Sequence, residues 1–445
     1  MSHNLALRNL LLRFVFSAFL AALSLAVARW RLFRKFSEWN NRQFDRGFVT
    51  FYAASHLLVF FAAFFVLHQK PWADLPAFYV PQAHSVMHGL VPYRDFKSSY
   101  APLNAYLDAA LLRLHDSPLS ILVFQILCDI ASVPFWIGFF RRVLNENTVR
   151  KAALLYLMQP LVIWEICLDG KNQGLIALLM AISFYALARR EVISGVSLSL
   201  SWILVKILPV MFLPSMFFGA RRRTLWLASV VVPSLAIYGA FMLKGADVLS
   251  ALRAESEIAT PQNLPYLFGA LTGMELPKIV LSGSLLLVVG IALVLTIRSQ
   301  LRQKDESLRL WVTALSCEVI LLAVMLVNKK SDTSYLGMCF FLLCAFVAFE
   351  SDRGRRMSSV MYAVVSLLAL PIASFWYWPL HIEPATQLHA LWIAGDRNAW
   401  IMVLMQALLA LSYLGLAAGM LRVMRELRTE ADLRREPALS TDSAS

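Results

Sequence analysis

Residues 74–103 read DLPAFYVPQAHSVMHGLVPYRDFKSSYAPL and hold two carboxylates of interest, Asp74 and Asp95, with two histidines, four prolines and three tyrosines. A carboxylate carried on a lid or floor beside a cavity can take part in proton transfer. Asp74 can equally cap the helix that its sequence opens, and Asp95, beside Arg94, reads as half of a surface ion pair. His84 and His88 share a helical face, but Pro81 precedes them and no third ligand stands near, so no metal is expected. Lys206 lies inside the apolar stretch WILVKILPVMFLP, where a cation must face protein or a watery cavity, or else snorkel to the surface. Lys329 and Lys330 follow another apolar run and read either as interfacial anchors or as cations facing a site. Glu165 and Asp169, near the end of a further run, either line the same space or cap a turn.

The elements that must position these residues are membrane spans. The chain has 445 residues, 59% hydrophobic and 16% charged, against about 25% charged for soluble domains. Runs such as 48–67, 224–243 and 279–297 each supply the roughly 20 apolar residues of a spanning helix. Lipid leaves no partner for an open backbone, so these runs are helices. Further candidates fall at 9–28, 119–140, 152–168, 173–188, 192–205, 207–219, 310–327, 335–350, 357–376 and 399–421. The expectation is an all-α, polytopic transmembrane helical bundle of about 11–13 spans. The pair 192–205 and 207–219 is short and interrupted by Lys206 and Pro209, which predicts a broken hairpin.

Net charge is +13, but the basic residues sit in short clusters between apolar runs, which the positive-inside rule accounts for without nucleic acid as a partner. The clusters at 29–46, 141–151, 189–190, 221–223, 298–309, 352–356 and after Arg422 share one face if the spans alternate, and that face is read as cytoplasmic. The loops at 68–118, 169–172, 244–278, 328–334 and 377–398 then lie outside, in the inner or plasma membrane of the cell. This alternation places the N-terminus outside despite Arg8 and Arg13; the other reading lays the first apolar run along the inner surface. That run has no small-residue cleavage site after it, so it is not read as a removed signal peptide. The five cysteines all lie in apolar runs and read as packing residues. Residues 1–425 read as one membrane domain and 426–445 as a charged cytoplasmic tail that frays.

The outer loop at about 68–118 is the longest. Its flanks, LPAFYVPQAHSVMHG and LNAYLDAALLRL, have apolar faces at helical spacing and should lie in the membrane interface. The tryptophans and tyrosines of SFWYWPLHIEP (374–384) read first as an interface belt and second as a platform for sugars.

The pattern of Asp74, Tyr79, Gly89, Pro92, Tyr93, Tyr100, Pro102 and Leu103 resembles the first luminal loop of GT-C fold glycosyltransferases that use polyprenyl-phosphate sugars, and most of all the glycosyltransferase 87 family. A second block, with Pro160, Gln173, Gly195, Lys206, Pro209 and Pro214, is similar to the same family, which often has Gly before the Gln and Asn or Asp after it; here Asn172 and Gly174 stand there. NLPYL (263–267) and KKSDTSYL (329–336) echo it more loosely.

This resemblance implies transfer of a hexose, mannose first, with inversion, from a polyprenyl-phosphate carrier to an extracytoplasmic glycan, glycolipid or protein acceptor, with no nucleotide-sugar site and no firmly implied metal or cofactor. It assigns Asp74 as general base, with Asp95 as rival. It points to Lys206, and to Lys329 and Lys330, for the departing phosphate, and to Tyr79, Tyr93 and Gln173 for substrate binding. The rival classes are a lipid-linked saccharide flippase and a polysaccharide polymerase or ligase. Against the first stands the lack of paired half-chain repeats; against the second, the lack of a large late loop.

Overall fold

The structure is a computed structural model that describes residues 3–29, 39–257, 259–377, 380 and 384–433. Among these there is no strand, and eight helices are long and apolar enough to cross a membrane. The protein is an all-α, multi-pass membrane bundle.

In chain order, α1 (His3–Arg29) and α2 (Asn41–Phe61) come first, and α2 runs on into a π-helical turn, Ala62–Val66. The long loop that follows carries a second π turn, Leu75–Tyr79, then α3 (Val80–Met87) and α4 (Asn104–Leu114). Next is α5 (Pro118–Val143). The run read as one span at 152–168 is two helices, α6 (Glu146–Leu157) and α7 (Pro160–Cys167). Pro160 has no N–H to continue the ladder, and it opens the second helix instead.

Then come α8 (Gln173–Leu187), α9 (Glu191–Leu204), a 3-10 turn at Leu208–Phe212, α10 (Leu213–Gly219) and α11 (Arg223–Leu243). Two short helices, α12 (Ser250–Glu257) and α13 (Leu264–Thr272), lead to α14 (Lys278–Leu301) and α15 (Glu306–Val327). The chain closes with a 3-10 turn at Thr333–Met338, α16 (Phe340–Asp352), α17 (Met357–Tyr377), α18 (Ala385–Ile393) and α19 (Arg397–Leu433). The end of the tail, 434–445, part of the 29–46 connection and residues 378–379 and 381–383 of the aromatic segment lie outside the described residues.

The central helix is α15, whose apolar window is wholly buried inside the protein; α14 beside it is buried over only 11% and turns its other face to lipid. Close approach is set by glycine at two contacts. A Cβ at Gly174 would stand 2.1 Å from the Gln125 carbonyl oxygen, so α5 and α8 can meet only there without a side chain. A Cβ at Gly195 would lie 2.7 Å from the Trp226 carbonyl oxygen, between α9 and α11. Gly174, one of the two positions noted above beside Gln173, is therefore fixed by packing.

One end of the bundle gathers the basic connections. Arg141 forks onto Asp45 (2.6 Å) and Glu146 (2.8 Å). Lys151 pairs with Asp352, and Arg355 and Arg422 both reach Glu350. The other end holds the 68–117 loop and the turns at 168–172, 205–207 and 328–332.

α1 runs between the two ends. Arg13 reaches Asp169 at the loop end, and the Ala28 carbonyl accepts from Ser351 at the basic end. It packs along α17, so residues 9–28 lie within the bundle and not flat along a surface.

Candidate active site

α9 has 14 residues, so it rises about 21 Å, short of the roughly 30 Å hydrocarbon core. The hairpin apex at Lys206 is thus sunk below the loop end of the bundle, and the first loop drops in to meet it. The Ala101 amide donates to the Val205 carbonyl (3.1 Å) and the Leu103 amide to that of Ile203 (3.0 Å). The stretch SYAPL therefore closes the backbone groups that the broken hairpin leaves open.

Above this apex lies a cavity of about 670 Å³, walled by six parts of the chain: Asp74 and Tyr100 from the first loop; Lys206; Leu252 and Thr260; Lys278 and Leu285 of α14; Lys329, Lys330, Asp332 and Tyr335; and Trp376 with Tyr377. Its size is in the range, about 300–1,000 Å³, of small-molecule sites.

The Asp74 side chain makes no cap bond to the π turn it precedes; it turns to the cavity and accepts from the Tyr100 phenol at 3.0 Å. Asp74 therefore does not cap this turn. Burial, with Tyr79 and Asp74 beside it, holds the Tyr100 phenol well above its ordinary range, so the phenol is the donor. The Lys206 ammonium sits 5.7 Å from the centre of the same Tyr100 ring and 5.6 Å from that of Tyr335. Tyr100 thus touches both carboxylate and ammonium, and Lys206 faces the cavity beside two aromatic rings and does not snorkel.

Lys329 and Lys330 line the cavity rim. Their strand of backbone is pinned from across the loop end: Thr260 N and Asn263 Nδ2 donate to the Lys329 carbonyl (3.2 and 2.9 Å), and Thr333 N donates to Gln262 Oε1 (2.5 Å).

Other sequence candidates stand one layer back. Tyr79 is buried edge-on against Tyr100, ring centres 4.9 Å apart. The Tyr93 hydroxyl donates to the Tyr100 carbonyl, so Tyr93 holds Tyr100 and does not line the cavity. Gln173 is buried and donates to the Ser334 carbonyl (3.2 Å), tying α8 to the turn that carries Tyr335. Asp95 is away from the cavity. It accepts from Arg94 (2.9 and 2.8 Å) and from the Val91 amide (2.7 Å), and the Arg94 guanidinium and that amide pull its carboxyl down to about 2. It braces a turn.

His84 is exposed, 4.0 Å from Asp116, and the His88 ring bonds the His84 carbonyl. Among the described residues no three His, Cys, Asp or Glu side chains are grouped to hold a metal ion.

The structure also adds residues that sequence reasoning had not singled out. Lys171, in the turn after α7, pairs with Glu165 at 2.7 Å and lies 3.9 Å from Asp332 on the cavity wall. Burial works to lower the Lys171 ammonium, but Asp332, Glu165, Asp74 and Asp169 outweigh it and push it well above its ordinary range. Burial works to raise the Asp332 carboxyl, but Lys171, the Ser334 amide and Lys206 leave it below its ordinary value. Both are therefore charged at neutral pH. The only sequence signal was a lysine and an aspartate in polar turns between apolar runs.

The loop is held under backbone strain. His68, Ala73 and Tyr93, the three non-glycine residues with positive φ among those described, all belong to it, at 50°, 58° and 66°. Such residues cluster where the surrounding structure fixes a functional loop.

Residues 99–328, just over half of the chain, match the family model described as glycosyltransferase family 87. The chain belongs to that family. This glycosyltransferase builds its cavity from inside and outside the matched range. Tyr100, Lys206 and Lys278 fall within it; Asp74 precedes it, and Lys329, Lys330 and Asp332 follow it within a few residues. No curated protein and no solved structure matches the chain significantly.

Proposed function

We propose that this membrane glycosyltransferase moves a hexose, mannose being the first to test, from a polyprenyl-phosphate carrier to a hydroxyl of an extracytoplasmic glycan, glycolipid or protein. The acceptor oxygen attacks the anomeric carbon, and Asp74 takes its proton. The bond from that carbon to the phosphate oxygen breaks, and the electron pair leaves with the polyprenyl phosphate. One displacement on the face opposite the leaving group inverts the anomeric centre. Lys206, with Lys329 and Lys330 at the rim, faces the charge that grows on the departing phosphate; no metal or other cofactor enters this reading.

The observation that carries the reading is Tyr100. It donates to Asp74 and presents its ring to Lys206, so one side chain touches both the base and the cation, and no direct ion pair joins the two among the described residues. The mostly lipid-exposed helix α14 forms another wall, which suits a substrate whose tail stays in the bilayer.

The test is transfer by the purified protein in lipid nanodiscs, with a panel of polyprenyl-phosphate sugars set against nucleotide sugars. Turnover confined to the first group is expected; turnover confined to the second would overturn the proposal. The outward face is tested by cysteine labelling in intact cells. Lys97 and Ser307 are exposed, and the five native cysteines are buried, which keeps the background low. Cysteine at 97 should react with an impermeant reagent and cysteine at 307 should not; the reverse would put the cavity inside.

A further inference from the structure

Arg13 lies in the apolar helix α1, ahead of the family-matched range, yet it is only 6% exposed. A guanidinium at such a place is costly unless it is paired. Its Nη2 stands 3.4 Å from both oxygens of Asp169. Its plane is flanked by two indoles, Trp72 at 4.7 Å and Trp164 at 5.0 Å. Both indoles also donate to Asp169 Oδ1, Trp72 at 2.7 Å and Trp164 at 3.1 Å. Asp169 is thereby the centre of a knot that joins α1, α7 and the start of the first loop.

What the knot holds is specific. Trp72 is two residues before Asp74, and Ala73 between them is in the left-handed region. Asp169 is two residues before Lys171, which faces Asp332 on the cavity wall. A helix that needed only to pack against α17 would be served as well by an apolar side chain, because replacing buried ion pairs with apolar groups is often neutral or stabilising.

We propose that Arg13 is a positioning residue of this glycosyltransferase. Through Asp169 and Trp72 it clamps the entry of the first loop against the 168–172 turn, and so sets Asp74 opposite the Lys171–Asp332 pair. This rests on the reading of Asp74 as the base, but the geometry of the clamp can be tested without it.

The experiment uses full-length protein and two variants. Arg13→Met keeps the stem and removes the charge. Trp72→Phe keeps a ring, removes the indole donor and leaves the Arg13–Asp169 pair intact, which guards against a misfolded Arg13 variant. Amide hydrogen exchange is read on both, and kcat and donor KM are read where the wild type turns over. Exchange at least tenfold faster in residues 70–79 and 168–172, with α17 unchanged, is expected, together with kcat down at least tenfold and KM within about threefold. Arg13→Lys should recover part of kcat. Faster exchange spread along α1 and α17, or no local change with kcat within twofold, would overturn the clamp. A wild type that is inactive on every polyprenyl-phosphate sugar, with the local exchange pattern present, would remove the proposed function and leave the clamp standing.

Discussion

The basic end of the bundle and the cavity at the loop end use charge differently, although the loop end has ion pairs of its own at Arg13–Asp169 and Lys171–Glu165. At the basic end, charges neutralise one another. Arg141 is shared by Asp45 and Glu146, Arg150 takes Glu146 as well, and Arg355 and Arg422 converge on Glu350 and Glu426. These pairs join α2 to α5 and α16 to α19, and they latch helices. In the cavity, Asp74 accepts from a phenol and Lys206 faces two aromatic rings, and no direct ion pair joins them among the described residues. Asp95, in the same loop, shows the other behaviour: its carboxylate is occupied by Arg94 and an amide. Asp74 and Lys206, unlike Asp95, turn to the cavity and have no ion-pair partner among the described residues.

The comparison is broken or sharpened by substitutions at each end. The largest effect is expected at Asp74. Asp74→Asn is nearly isosteric and should fold, and loss of a general base costs ~100- to 10,000-fold in kcat; transfer within a few-fold of wild type would remove Asp74 from the chemistry. Lys206→Met should lower kcat/KM for donor by at least ~10-fold, about 1.4 kcal/mol of transition-state stabilisation. Full activity in a folded variant would leave Lys206 as a packing cation. At the other end Arg141→Met should leave kcat unchanged and lower stability by about 1 kcal/mol, read as a drop in Tm in detergent. A loss of kcat without a loss of Tm there would erase the distinction between the ends.

Much of the fold was legible because an apolar run of twenty residues is accommodated as a helix in lipid. The runs read at 279–297, 310–327 and 357–376 are α14, α15 and α17 within a few residues. The broken hairpin was legible too, from Lys206 and Pro209 inside it. The split of 152–168 into α6 and α7 was missed, although Pro160 carried the signal. The cavity was legible only in part. Asp74, Lys206, Lys329 and Lys330 stood out by type and place, and they do come together. Asp332 and Lys278 did not, nor did Lys171, which backs Asp332, because their meaning depends on partners far along the chain. Arg13 is the extreme case: in the sequence it counted only, with Arg8, against an outside N-terminus, and its partner Asp169 is 156 residues away.

Smaller effects refine the loop itself. Asp108, on α4, is buried and accepts from Asn104 at 2.7 Å, and burial raises its carboxyl from 3.8 to about 8. The folded state keeps this proton over a range in which the unfolded chain has released it. Its contribution to stability therefore falls as pH rises from about 4 to about 8. Asp108→Asn should flatten that fall, seen as a smaller Tm difference between acid and mildly alkaline buffer; an unchanged slope would mean the carboxyl is not the source. The smallest effect is expected for Asp95→Asn, whose turn keeps an acceptor for the Val91 amide, with transfer within a few-fold of wild type.

The central claim is that Asp74 acts on a proton and does not merely shape the loop. Chemical rescue tests it most directly. Asp74→Ala should be nearly inactive with a hydroxyl acceptor. Added azide, an anion that needs no base, should restore consumption of the polyprenyl-phosphate sugar and give a glycosyl azide of inverted configuration. A product of retained configuration, or an Asp74→Ala enzyme that transfers to hydroxyl acceptors at the wild-type rate without azide, would contradict the account.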